Sequence, residues 1–530
     1  MPSDCVSYQN SGWFSSLMTD YLNQKSEIRP LYNHFPTLEN FSEQIQEKSN
    51  NFNPYFRATL HRALSEQYQN FRVSAATQKH IELLKDDLTF TVTTGHQLNL
   101  FTGPLYFLYK IISTINLCKE LKEKYPTYNF VPIYWMATED HDFDEICFFN
   151  FENIKFKWHK DASGPVGRLD NDGLDEIFKA FSTQIGIGKN ATQIKKWFEE
   201  AYLQHDNLAD ATRYLANEIF GNEGLVILDG DDVSLKKIFS PYVSAELTER
   251  KSQSLAEESF SILSNYTIQV NPREINLFYI EDGLRERIVF EDNQYKVLNT
   301  SLSFSEDEIQ QELANSPEKF SPNVILRPLY QEVILPNLCY IGGGGELAYW
   351  LELKAIFDHH NVTFPMLLLR NSVLLSTEKQ SNKADKLGIT WQDLFQKKER
   401  LITAKTQELS TNTFDFAQQK QFLKEQFEAL RLIAQQTDQS FIGAVEAQEK
   451  KQLKGLQNLE KRLLKAEKRL HKEQLERIST LQAELFPNGS LQERQVNFAE
   501  FYKIAGDDLL SKLYENLNPL EQKFTIITVC

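Results

Sequence analysis

Between Glu139 and Glu145 the chain sets five carboxylates around one imidazole: Glu139, Asp140, His141, Asp142, Asp144 and Glu145. Three chemistries suit such a cluster. A histidine among carboxylates can hold Mg2+, Mn2+ or Zn2+. The same groups can bind sugar hydroxyls or an amine while His141 moves a proton. Acidic residues are also favoured at a helix cap and first turn, which accounts for Asp144 and Glu145 without any ligand. Asp140, His141 and Asp142 are the catalytic candidates, and His96, in the stretch Thr94-Gly-His-Gln-Leu-Asn99, could face His141 as a fourth. Gln97, Asn99, Glu139, Arg168, Asp229, Arg273 and Arg327 are the substrate-binding candidates. Their amides and carboxylates match hydroxyls, and a planar guanidinium matches a carboxylate or phosphate. Each arginine equally suits a structural ion pair. Gly342, Gly343, Gly344 and Gly345 lead into Glu346 and Tyr349 as the candidate nucleotide-binding stretch, because bare backbone N–H groups at a helix start suit an anion. The run lacks the context of either familiar glycine fingerprint, so a tight turn without a ligand is an equal alternative.

These residues need elements to position them. Phe90–Thr93 is a short β-favouring run that stops at Thr94-Gly95. Gly103-Pro104 opens a helix with an apolar stripe of Leu105, Leu108, Ile111, Ile112, Ile115 and Leu117. Residues 130–137 are apolar enough for a strand buried on both faces. A βαβ unit therefore carries His96 at one strand end and Asp140 at the next, where open parallel sheets bind ligands. Residues 224–228 form a third such run, ending in Asp229, Asp231 and Asp232. Residues 270–300 alternate as antiparallel strands do. Val333–Leu335 and Leu338–Ile341 read as β, a helix starts near Glu346, and Phe364–Leu369 supplies another strand.

The expected class is therefore α/β. Residues 1–375 form a Rossmann-like core with an N-terminal helical layer and insertions near 150–222 and 265–320. Residues 376–485 form an α-helical domain, and 486–530 return to the core with an edge strand. Within the helical domain, Leu456, Leu459, Leu463, Ala466 and Leu470 repeat at 3-4-3-4 spacing, and the seam resumes at Ile478 after an irregular step across Gln474. Leu423, Phe427, Leu430 and Ala434 form a shorter seam. A break near Thr437-Asp438 folds the two into an antiparallel hairpin whose second helix, 440–485, runs about 70 Å.

A chain of 530 residues exceeds one ordinary core. Hydrophobic residues at 41% and charged residues at 25% fit a soluble globular protein, and the net charge of −16 argues against general binding to nucleic acid or membrane surfaces. No apolar run spans a bilayer and no signal-peptide pattern stands at the N-terminus. Five scattered cysteines fit reduced cytoplasmic thiols and give no structural zinc signature.

TGHQLNLFTGPLYFLYK, TEDHDFDEI, GPVGR, NPREINLFY, SPNVILRPLYQEVILPNLCYIGGGGELAYW and LFPNGSLQER, in this order, resemble the cysteine-adding enzymes of bacillithiol biosynthesis, the BshC family. The resemblance covers nearly the whole chain. It implies a Rossmann core related to class I aminoacyl-tRNA synthetases, with inserted connecting subdomains and a coiled-coil arm that forms a homodimer. It also implies a ligase that joins the carboxyl group of cysteine to the amine of glucosaminyl-malate. Activation of that carboxyl calls for ATP or ADP, with Mg2+ if ATP is used, and His141 or Asp140 would take the amine proton. Position 96 departs from the family pattern, His96 standing where Gln is common, as does the glycine run, which lacks a common proline. Two other readings stay open: a metal-dependent hydrolase built on His96 and Glu139–Asp142, and a nucleotide-sensing coiled-coil assembly protein.

Overall fold

The computed structural model describes residues 4–412, 414–437 and 439–529. Its centre is a sheet of five strands in the order Met366–Leu369, Asn337–Gly342, Thr89–His96, Asn129–Met136 and Val226–Asp229, every pairing parallel. Thr89–His96 is buried along its whole length, as a strand covered on both faces must be. The chain moves outward from it through the second strand to the third, then returns to its other side for the fourth and fifth. That reversal opens a crevice outside the carboxyl ends of Thr89–His96 and Asn337–Gly342.

The connections follow from local sequence. After the first strand, Phe101 and Thr102 take positive φ (48° and 66°), as does Gly103 (62°). A Cβ at Gly103 would lie 2.7 Å from that of Asn99, so glycine is required there. The helix Tyr106–Lys124 follows and packs Leu117, Cys118 and Leu121 into one core with Phe90, Val92, Ile341 and Leu368. Phe41 and Ile45 of the N-terminal helix Phe41–Asn51 join the same core. One insertion is a hairpin, Phe148–Phe151 with Ile154–Lys157, followed by the helices Leu174–Ile185, Lys189–Tyr202 and Leu208–Phe220. The other carries an antiparallel sheet built around Leu277–Glu281 and Leu284–Glu291.

Three expectations are corrected. Val333–Leu335 is not a strand: residues up to Ile334 belong to the helix Arg327–Ile334, with Pro328 in its first turn and Pro336 just beyond it. A short apolar run fits a buried helix as well as a strand. The N-terminal region is mainly helical and adds one short strand, Asp4–Ser7, which pairs antiparallel with the C-terminal strand Lys523–Val529. That terminal strand is the middle member of a three-stranded sheet, not an edge, with Ser372–Thr377 on its other side. The long arm helix is broken at His471 (φ −96°, ψ 18°) into Gln439–Leu470 and Lys472–Leu485. The break resets the buried face onto Leu475, Ile478, Leu481 and Leu485, so the longer piece spans only about 48 Å.

Ser376–Ser490 clusters as one compact unit and Ser3–Leu375 with Leu491–Cys530 as the other. Within the first, the helix Ala417–Ala434 runs antiparallel to Gln439–Leu470. Phe427, Ala434 and Val445 form the contact core, and Arg431 pairs with Glu449 and Lys420 with Glu460. Of the expected break, Asp438 lies outside the described residues. Among the described residues no helix is long and apolar enough to cross a membrane.

At the amino end of the fourth strand lies a buried polar network. Lys48 donates to Oε2 of Glu332 at 3.1 Å, with side chains 2% and 0% exposed. Gln331 (2.9 Å) and Asn337 (2.6 Å) donate to the other carboxylate oxygen, and Asn337 in turn accepts from Thr93 at 2.8 Å. Removing one partner strands a buried charge. Lys48→Met is expected to destabilise the larger unit by about 3–5 kcal/mol, and adding Glu332→Gln should restore most of it. Thermal unfolding of the single and double variants checks this; equal losses in both would contradict it.

Candidate active site

The side chains singled out in the sequence fall into two groups along the carboxyl edge of the central sheet. The first lies at the ends of the first three strands. Gln97, next after Thr89–His96, donates to Asp140 Oδ2 at 2.9 Å and to Glu145 Oε2 at 2.8 Å. Asn99 donates to the Glu145 carbonyl at 3.3 Å. Two motifs more than forty residues apart (43 and 48 positions for the Gln97 bonds) are thus latched together. Burial pushes the Asp140 carboxyl up, but hydrogen bonds from the His141 backbone N–H and from Gln97, with the charge of Arg285, outweigh it and hold Asp140 well below the usual carboxylate range. Held ionised in this way, Asp140 is a weaker base than an ordinary carboxylate. Asp142 is exposed.

Asp229 is its opposite. It ends the third strand beside Met136, accepts a hydrogen bond from Thr138 Oγ1, and accepts another from the Asp231 N–H at 2.9 Å. Burial and the neighbouring Asp231 push its carboxyl up to about 6. Glu139 and Asp231 share Lys236, at 2.7 and 2.8 Å. Arg168 grips Asp231 through two bonds of 2.8 and 3.1 Å and reaches Asp282 at 3.0 Å. Arg168 is therefore neutralised by the protein itself. Arg273 is an exposed loop residue whose backbone, rather than its guanidinium, is held by Asn276.

The second group lines the crevice where strand order reverses. Lys110, buried on the helix Tyr106–Lys124, donates to the Gly95 carbonyl at 2.6 Å and pairs with Glu346 at 2.6 Å. Glu346 also accepts from Tyr340 Oη at 2.8 Å and from the Gly343 N–H at 3.1 Å. The backbone position expected to hold a ligand anion is thus filled in part by the protein's own carboxylate. None of the four glycines has positive φ; Gly342 is needed instead for close approach, since a Cβ there would meet the Tyr340 ring at 2.9 Å. Arg327 lies about 6 Å from the rings of Trp135, Tyr340 and Trp350 and donates to Gln331 at 3.1 Å and to the Tyr349 hydroxyl at 3.2 Å. Among the described residues no carboxylate stands within ion-pair distance of it. A cavity of about 210 Å³ adjoins the glycine turn, lined by Trp13, Phe14, Gly344, Gly345, Arg370 and Arg494. Arg370 pairs with Glu493 at 2.7 Å, while its buried Nε has no protein partner.

His96 and His141 occupy different surroundings. His96 is packed between Tyr106 and Phe107, with ring centroids 5.3 and 5.0 Å away. Burial, reinforced by Lys110 and Arg370, holds its proton affinity well below that of an ordinary imidazole. Among the described residues no three His, Cys, Asp or Glu side chains converge on a possible metal position. Lys110, Lys236, Arg285 and Arg370 escaped the sequence reading. Two of them left a signal: Lys110 is a lone charge in a buried helix, and Arg370 ends a wholly apolar strand.

A family model described as "Bacillithiol biosynthesis BshC, N-terminal Rossmann-like domain" matches residues 1–371, and "Bacillithiol biosynthesis BshC, C-terminal coiled-coil domain" matches 373–529. A protein of Flavobacterium johnsoniae named "Putative cysteine ligase BshC" is 62% identical, covering 100% of both chains. One of Bacillus cereus with the same name is 29% identical over 94% of this chain and 95% of its own. A solved chain described as a "putative arginyl t-RNA synthetase" of Campylobacter jejuni covers 87% of this chain and 95% of its own at 10% identity, with a TM-score of 0.21, too low to carry an argument. With a Rossmann-like parallel core, a helical arm and family matches from end to end, the chain belongs to the BshC family of bacillithiol biosynthesis.

Proposed function

We propose that this chain is an amide-forming ligase that joins the carboxyl group of cysteine to the amine of glucosaminyl-malate, giving bacillithiol. The full-length kinship carries that reading: relatives named as cysteine ligases align with the chain from end to end. A carboxylate does not acylate an amine in water, so the cysteine carboxyl first needs a leaving group. ATP is the proposed activator, forming an acyl adenylate with release of pyrophosphate or an acyl phosphate with release of ADP. The amine nitrogen then attacks the acyl carbon, the bond to the phosphate oxygen breaks, and a base takes one proton from nitrogen. The protein's contribution is to position the reactants and stabilise developing charge.

The cavity beside the glycine turn suits the nucleotide, with guanidinium groups for phosphate and aromatic rings for a planar base. Glu346 occupies the Gly343 N–H, which leaves Gly344 and Gly345 as the backbone donors. Mg2+ would travel with the phosphates, as it keeps most of its ligands from water and substrate. Arg327, which makes no direct ion pair with a carboxylate among the described residues, is the proposed partner of a malyl carboxylate. Asp229 is the proposed proton acceptor, since a base titrating near the working pH is the effective one. In the arm, Leu459 and Leu470 of the heptad seam are 52% and 74% exposed, and Leu432 is 63% exposed. The hairpin leaves part of that seam exposed, which supports self-association of two copies through it.

Mass spectrometry of the purified protein with glucosaminyl-malate and cysteine should detect bacillithiol when ATP and Mg2+ are present and none when they are withheld. Product without ATP would overturn the activation step. Asp140→Asn and His141→Gln should each abolish most of the turnover; full activity in both would remove the strand-end site from the mechanism.

Below pH 6 or so Asp229 is protonated and cannot accept a proton, so the rate should fall as pH drops through about 6. Asp229→Asn should lower the rate and flatten that limb, and an unchanged pH profile would exclude Asp229 as the base. For the arm, sedimentation equilibrium should give a dimer that Leu459→Lys with Leu470→Lys converts to monomer without lowering the melting temperature.

A further inference from the structure

The second insertion reaches the strand ends through three stacked turns. The strands Leu277–Glu281 and Leu284–Glu291 meet at Asp282-Gly283. This turn presses on Gly164, where a Cβ would stand 2.6 Å from the Leu284 nitrogen. Gly167 presses in turn on Thr138, its Cβ position 2.6 Å from the Thr138 Cβ. Backbone bonds fasten the lower contact: the Val166 N–H donates to the Asp140 carbonyl at 2.7 Å and the Gly167 N–H to the Thr138 carbonyl at 2.8 Å. Asp282 is tied down by Arg168. The hairpin is therefore seated on the acidic strand end with no room for larger residues in between.

From this seated turn Arg285 extends over the Phe278 ring, 3.9 Å from its centroid, and brings Nη1 to 2.7 Å from Nδ1 of His141. The His141 ring itself lies 5.5 Å from Phe278. A guanidinium nitrogen always carries hydrogen and never accepts. Nδ1 must then present its lone pair, and the proton of the neutral ring sits on Nε2. The other charged group near Nδ1 is Asp140, at 3.6 Å. A proton on Nδ1 aimed at Asp140 would oppose the guanidinium hydrogen across the shorter distance, so the arginine contact decides the tautomer. Glu139 and Asp140 supply the negative charge that keeps Arg285 in place.

We propose that Arg285 is a positioning residue for His141, fixing its neutral Nε2–H tautomer so that the imidazole meets substrate as a hydrogen-bond donor. The sequence reading cast His141 as a proton acceptor; the geometry casts it as a donor to an oxygen on which negative charge develops, at the acyl group or the leaving phosphate. The activity arm of the test rests on the ligase reading, and the tautomer arm does not.

The full-length protein, labelled with 15N-histidine and held at mildly alkaline pH, is examined by long-range 1H–15N correlation, with His141→Gln assigning the signal. The wild type should give the Nε2–H pattern. Arg285→Met should move it towards a mixture of both tautomers, and Arg285→Lys, whose ammonium also donates, should restore it in part. In the ligase assay Arg285→Met should lower kcat about tenfold or more with little change in KM. Unchanged signals from the other histidines establish that each variant is folded; if Arg285→Met fails that check, Arg285→Lys decides. An Nδ1–H pattern in the wild type, a tautomer indifferent to position 285, or a tautomer shift without loss of kcat would each overturn the proposal. A wild type that forms no product while keeping the arginine-dependent tautomer would indict the ligase reading instead.

Discussion

Lys110 is a cation inside a helix that packs against a parallel sheet, and the reversal of strand order depends on what neutralises it. A lysine withdrawn from water needs close partners. It has the Gly95 carbonyl at the end of the first strand and Glu346 just beyond the fourth. Those strands are neighbours, yet about 240 residues separate them (246 between Thr91 and Asn337). The ion pair therefore ties the halves of the sheet together where they diverge. It also places the Glu346 carboxylate on the Gly343 N–H, so the same interaction that closes the fold shapes the mouth of the crevice.

The strand ends separate similar groups by environment. Asp140 and Asp229 are both carboxylates on adjacent strands, but donors crowd Asp140 whereas burial and a neighbouring Asp231 surround Asp229. One is held ionised and the other is poised to titrate, the kind of divergence that distinguishes a fixed charge from a base. The arginines divide likewise. Arg168 is spent on Asp231 and Asp282, Arg285 on His141, and Arg327 is left among aromatic rings. Arg327 is thus the one of the three arginines held by neutral donors and rings rather than by a directly paired carboxylate or imidazole.

Both insertions are seated on the site by close backbone contacts, from which Arg168 and Arg285 reach their partners at the strand ends. Gly164 and Gly167 let two turns approach until no β-carbon fits between them. The arm is organised differently. Its hairpin buries Phe427, Ala434 and Val445 but leaves much of the regular leucine seam in water. That exposed stripe is the surface proposed for self-association.

Periodicity determined a good deal by itself. The apolar runs at 90–93, 130–137, 224–228, 338–341 and 364–369 marked all five central strands, because a strand covered on both faces must be apolar throughout. Their polar ends marked the edge on which Asp140 and Asp229 lie. The 3-4 spacing of leucines marked the arm. What depended on tertiary structure was every partnership across distance. Val333 and Ile334 joined a helix because a short apolar run has no period of its own. Lys523–Val529 became a central strand because Asp4–Ser7 arrived on its far side. Arg168 found Asp231, Lys110 found Glu346 and Arg285 found His141 through contacts 63, 236 and 144 positions apart. A residue's type fixes what charge it carries; only the folded surroundings decide whether that charge is neutralised, shifted or left for a ligand.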